Sequence, residues 1–149
     1  MKPRAGRAMG FAILAALAGC GLQDCLPPPE SPERQALRND LVGRLYSIPC
    51  PDRHDPSSLR ARAEALRQRE AEFLGRVERS RFRPDLERAR QEAEQISRTI
   101  MVDCVFYPPE HAEEAENVKA VTAEIEAGER QLAEAMRRFE ALDHACPAV

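Results

Sequence analysis

From Val118 to Leu142, apolar or small side chains recur at steps that alternate between three and four without a slip: Val118, Val121, Ile125, Gly128, Leu132, Ala135, Phe139 and Leu142. An α-helix repeats about every 3.6 residues, so these positions fall on one face and need a partner surface to cover them. A strand cannot use the pattern, because its side chains alternate with period two. The rest of the chain must therefore supply helices that bury this seam. Gly128 and Ala135 leave room on it for a close neighbour. The composition agrees, with no Trp, 5% aromatic residues and a high content of Ala, Glu, Arg and Leu.

Proline announces each candidate helix. Ser31-Pro32-Glu33, Asp55-Pro56-Ser57, Pro84-Asp85-Leu86-Glu87 and Pro109-Glu110 all place proline beside acids or capping residues. Proline is tolerated at the first helical position, acids suit the positive end of the helix dipole, and Ser31 and Asp55 are able to cap free amides. The spacing predicts helices over 32–48, 56–81, 84–106 and 109–145. Their apolar faces carry Leu37, Leu41, Leu45 and Ile48 on the first, Leu59, Ala63, Leu66, Phe73 and Val77 on the second, and Leu86, Ala89, Ala93, Ile96 and Ile100 on the third. No segment alternates with period two, so no sheet is expected. A tetratricopeptide array would need a 34-residue period, which is absent. One helix through 56–106 would place Pro84 inside it, at a cost of about 3 kcal/mol. The links near 49–55, 81–83 and 107–108 are short, which makes sequential helices antiparallel neighbours. The expected fold class is all-α, an antiparallel up-down-up-down four-helix bundle over 32–149. Its fourth helix, roughly 55 Å long, would overhang neighbours of roughly 35 Å.

The amino-terminal stretch has a different character. Lys2, Arg4 and Arg7 precede the apolar run Phe11-Ala-Ile-Leu-Ala-Ala-Leu-Ala18, which ends at Gly19-Cys20-Gly21. Basic, apolar and small-residue zones in that order form a secretory signal, too short for the roughly 20 apolar residues of a membrane-spanning helix. Leu17-Ala18-Gly19-Cys20 resembles the lipobox of bacterial lipoproteins at every position. The resemblance covers residues 1–20 and implies that residues 1–19 are a cleaved signal peptide. It further implies that the Cys20 sulfur carries diacylglycerol and that the new amino terminus is acylated. Gly21, rather than Asp, follows the cysteine, which in that family implies the outer membrane. Several acyl chains together hold stably where one does not, since each buried CH₂ is worth about 0.8 kcal/mol. Residues 20–31, with Pro27-Pro28-Pro29, read as a lipidated, extended tether. Without residues 1–19 the chain keeps 19 bases against 25 acids, a net charge of −6. That balance argues against a nucleic-acid partner, which needs a basic face to release phosphate counterions.

Four cysteines remain, Cys25, Cys50, Cys104 and Cys146, an even set in an exported chain. Three pairings exist. If the first helix rises from the membrane, Cys25 and Cys146 lie at the lower end and Cys50 and Cys104 at the upper. Bridged Cα atoms lie within about 7 Å, so pairs from opposite ends are rejected. The expected disulfides are Cys25–Cys146 and Cys50–Cys104, each adding about 2–4 kcal/mol.

The remaining polar constellations favour no chemistry. Cys50, His54, Cys104 and His111 make a nominal Cys₂His₂ set at the upper end, but it lacks tight C-x₂-C spacing and an oxidised pair would not bind metal. No metal or cofactor is expected, and the histidines read as solvated, with His144 favourable at the negative end of the fourth helix. Arg76, Arg79, Arg81, Phe82, Arg83, Arg88 and Arg90 crowd the second turn. They would either meet membrane phosphates, with Phe82 dipping among headgroups, or face the acidic fourth helix. No G-x-S-x-G, H-E-x-x-H, glycine-rich phosphate loop or C-x-x-C-H is present, so no catalytic residue is assigned and no enzyme is expected.

The expected function is thus a non-catalytic protein-binding or scaffolding module, attached to the membrane through Cys20 and docking an envelope protein. The alternatives are a structural surface lipoprotein and a bundle that binds a metal or small ligand. In size, anchor and expected fold the chain is similar to type II secretion pilotins, small disulfide-bonded lipoproteins of four helices that bind the end of a secretin subunit. The similarity extends to no motif, so no binding residue is carried over.

Overall fold

The computed structural model describes residues 25–46, 55–99 and 109–145, and these contain helices and turns without a strand. The helices are α1 (Pro32–Leu45), α2 (Arg60–Glu78), α3 (Arg83–Thr99) and α4 (Ala115–His144), with single 3₁₀ turns at Ser57–Leu59 and Pro109–His111. Ser31 caps α1 as its hydroxyl accepts the Arg34 N–H at 3.3 Å, with Pro32 in the first turn.

Several boundaries differ from the sequence reading, among them the end of α2 at Glu78, where 81 was expected. α1 stops at Leu45 because Tyr46 turns extended; Ile48 lies outside the described residues. α2 begins four residues after Pro56, whose extended backbone (ψ 141°) leads first into the 3₁₀ turn. α4 begins at Ala115 because the chain first turns at His111, whose carbonyl accepts the Asn117 side-chain amide at 2.5 Å. It then runs unbroken through Gly128 for 30 residues, about 45 Å. α3 is described to Thr99; Ile100 and the rest of the expected third helix lie outside the described residues.

Side-chain contacts fix the helix directions. Arg34 of α1 meets Asp85 in the first turn of α3, so these two run parallel. Arg44 reaches the Gly128 carbonyl while Arg138 reaches Asp40, so α1 and α4 are antiparallel. Leu66 lies against Gly128 and Phe73 against Phe139, which makes α2 and α4 parallel. Directions therefore alternate up, down, up, down, but the neighbours are not the expected ones. α1 packs on α3 and α4, and α2 packs on α4 and α3, leaving α1–α2 and α3–α4 as diagonals. Only α2 and α3, joined by the tight turn at Arg79–Phe82, are sequential neighbours.

The main core lies at the pole where α1 and α3 begin, here called basal. Leu37, Leu41, Phe73, Val77, Phe82, Leu86, Leu132 and Phe139 are buried together there. Each such side chain contributes about 1.5–3 kcal/mol by leaving water. Above it, α2 and α4 continue as a pair around Ala63, Val121 and Ile125, with Leu59 and Leu66 half-buried against them. A Cβ on Gly128 would stand 2.8 Å from Leu66 Cδ2, so the glycine lets the two helices approach. Gly43, exposed on α1, would meet nothing within 4 Å. Gly43→Ala is accordingly expected to stabilise the protein by about 0.5–1 kcal/mol, read as a higher urea midpoint.

The upper arm is held by surface carboxylates. Glu129 receives Arg62 Nε at 3.0 Å and Nη2 at 2.6 Å, and Glu113 accepts the Ser57 N–H at 2.7 Å. These hydrogen bonds hold both carboxyls below the usual glutamate range, with the Ser57 amide the main cause at Glu113 and the Arg62 side chain at Glu129. Their stabilisation is complete above the ordinary glutamate pKa and is lost as pH falls through the lowered folded values. Amide exchange at Ser57, corrected for the intrinsic pH dependence, should therefore lose protection on acidification before the basal helices do.

Candidate functional site

Residues 25–31 form a strap folded over the start of α1, not the extended spacer expected of Pro27-Pro28-Pro29. The Ser31 N–H donates to the Pro28 carbonyl at 2.8 Å, closing a turn, and Leu26 packs on the main core. Two arginines one helical turn apart on α1 hold the strap. Arg34 Nη1 donates to the Pro27 carbonyl at 3.3 Å and Arg38 Nη1 to the Pro29 carbonyl at 2.6 Å.

Both arginines also grip Asp85. Arg34 donates from Nε at 3.2 Å and Nη2 at 2.5 Å to Oδ2, and Arg38 Nη1 donates at 2.9 Å to Oδ1. Asp85 is 1% exposed, Arg38 5% and Arg34 9%. A buried ion is tolerated only when paired and hydrogen-bonded. Here one carboxylate faces two guanidinium groups, and further donors are met by the proline carbonyls and by Gln35 Oε1, 2.7 Å from Arg38 Nη2. The Arg34 guanidinium also lies 5.8 Å over the Phe82 ring.

Pro27 of the strap lines an open groove of about 620 Å³ between the start of α1 and the end of α4. Pro27, Ala141, Leu142 and Ala145 supply an apolar surface, with Glu33, Arg137 and Arg138 around it. Arg138 is fixed by Asp40 Oδ2 at 2.6 Å and Glu134 Oε1 at 3.2 Å. An apolar strip bordered by charges of both signs suits the side chains of a docked polypeptide.

Of the residues singled out from sequence, Cys20, Cys50, His54, Cys104 and Cys146 lie outside the described residues. Cys25 is exposed and disulfide-bonded; the cysteine joined to it lies outside the described residues too. His111 is exposed, its Nδ1 against the Glu114 carboxylate, and His144 is exposed in the last turn of α4. Among the described residues no three His, Cys, Asp or Glu side chains converge to hold a metal ion.

The basic turn corrects one expectation. Phe82 is 0% exposed, packed edge-on to Phe139 at 5.8 Å, and does not project to reach a bilayer. Arg76 and Arg81 face α4, pairing with Glu140 at 3.2 Å and Asp143 at 3.5 Å. Arg83 pairs with Glu87, Arg90 with Glu78 and Arg88 with Glu30 of the strap. Sequence reasoning missed the Arg34–Asp85–Arg38 cluster. The available signal was spacing: residues 34, 37, 38 and 41, like 82, 85, 86 and 89, share one helical face.

Comparison of the chain with protein-family models, with curated proteins and with solved structures found no match.

Proposed function

We propose that the chain is a lipid-anchored, non-catalytic docking module of the bacterial envelope, held at the outer membrane through Cys20 and receiving a protein partner in the basal groove. The observation that carries this reading is the placement of the groove. Pro27 of the strap lines it, and the strap begins only five residues after the lipobox cysteine. No helix among the described residues is long and apolar enough to cross a membrane. The lipobox resemblance assigns attachment to the Cys20 acyl chains instead.

Two disulfides, Cys25–Cys146 and Cys50–Cys104, belong to the same proposal. Pro27 and Ala145, close in sequence to Cys25 and Cys146, line one groove, and Cys25 is bonded. α1 and α3 are parallel neighbours, and Cys50 and Cys104 each stand five positions beyond the described ends at Leu45 and Thr99. That symmetry supports joining them.

The test has two arms. Mass spectrometry of protein purified from membranes should find residues 1–19 removed and diacylglycerol on Cys20; an unmodified cysteine overturns the anchor. A photo-crosslinking residue at Ala141 should capture one stoichiometric envelope protein, and Ala145→Arg, at an exposed position lining the same groove, should abolish the capture. Capture of lipid alone would replace docking with the structural surface role.

A further inference from the structure

We propose that Arg34, Arg38 and Asp85 act as a carbonyl clamp that latches the strap, and with it Pro27, at the edge of the basal groove. Releasing the clamp then loosens residues 26–31, between the Cys25 disulfide and α1, and widens the groove while the rest of the bundle stays folded. The functional meaning rests on the docking reading above; the clamp itself stands on geometry alone. Each guanidinium bridges the Asp85 carboxylate and one strap carbonyl, at 3.3 Å from Arg34 to Pro27 and 2.6 Å from Arg38 to Pro29. The prolines have no N–H with which to join a helix or ladder, so their carbonyls are the backbone groups through which Pro27–Pro29 can be held. Leu26 is the one strap side chain packed on the core, so little apolar burial holds the segment otherwise. Segments with few buried contacts open locally at less free energy than the whole fold.

The clamp also has a fixed supply of acceptors. Two buried cations share the Asp85 carboxylate, and with the strap detached the Arg34 and Arg38 N–H groups bonded to the Pro27 and Pro29 carbonyls must find water. Arg34 and Arg38 are thus positioning residues for Pro27 in the groove wall, and Asp85 orients both.

Hydrogen exchange of the full-length protein in detergent micelles tests this, with the Ser31 amide as reporter because its bond to the Pro28 carbonyl closes the strap turn. In the wild type that amide is expected to exchange at least ~30-fold more slowly than in an unstructured chain. Arg38→Met keeps the buried stem but removes both prongs. It should accelerate Ser31 at least ~10-fold and erase the nuclear Overhauser contacts of Leu26 with the core, while amides near Phe73 and Phe139 keep their wild-type rates. Arg38→Lys, with one ammonium for two acceptors, should fall between. Exchange of Ser31 at the unstructured rate in the wild type overturns the clamp, as does equal acceleration of Ser31 and of α2 and α4 in both variants. Should Arg38→Met not fold, the wild-type rate and Arg38→Lys decide. Failure of the Ala141 crosslink with Ser31 still protected would remove the docking reading and leave the clamp standing.

Discussion

Asp85→Asn is expected to destabilise the protein by roughly 3–5 kcal/mol, because it leaves the buried Arg34 guanidinium without a counter-ion and Arg38 with only the exposed Glu30 carboxylate, 4.0 Å away. The side chain keeps its size, so the loss isolates charge from packing. Asp85 is 1% exposed and accepts three hydrogen bonds from Arg34 and Arg38, and Asn retains only one oxygen to receive them. The thermal midpoint should fall by roughly 10 °C or more. The triple change Arg34→Met, Arg38→Met, Asp85→Leu provides the contrast. Removing all the charges together ends their desolvation cost, so the triple variant should lie within about 1 kcal/mol of the wild type or above it. A triple variant as unstable as Asp85→Asn would show that packing at these positions, not unpaired charge, dominates.

That cluster also marks where the sequence could be read and where it could not. The seam of α4 was legible because it repeats for many turns on one face: Val121, Ile125, Leu132, Ala135, Phe139 and Leu142 are all buried. The helix starts were legible where a cap and a proline coincide, as at Ser31-Pro32, and less so at Pro56, where a 3₁₀ turn intervenes. Asp85 was read as a first-turn acid complementing the α3 dipole, which its position satisfies. What a single helix cannot reveal is that two arginines of α1 come from 51 and 47 positions away to meet it. Neighbour order was hidden for a related reason. Short links were taken to make sequential helices neighbours, whereas α1 packs on α3 and α4, and α2 on α4 and α3. The groove depends on both long-range facts, the strap folding back and α4 lying beside α1.

Phe139→Ala should be comparably damaging, at about 3–5 kcal/mol, through a different mechanism. The ring is 3% exposed and holds three elements together: Phe73 of α2 packs edge-on at 5.9 Å and 79°, and Phe82 of the α2–α3 turn at 5.8 Å and 75°. The Arg76 guanidinium lies 5.6 Å over its face. Truncation leaves a cavity between two rings anchored on separate backbones, so neither can move far enough to fill it. Phe139→Leu keeps most of the apolar volume and loses mainly the edge-to-face contacts, each worth about 0.5–1.5 kcal/mol beyond burial. A double-mutant cycle of Phe73→Leu with Phe139→Leu, measured by urea unfolding, should return a coupling of that size. Because Phe82 rests on Phe139 and Arg34 lies over Phe82, the loss at Phe139 should propagate to the clamp. Ser31 exchange should then quicken in Phe139→Ala more than in Leu132→Ala, a cavity elsewhere in the same core. Equal acceleration in the two variants would mean that the aromatic stack stabilises the basal pole as a whole and gives the strap no support of its own.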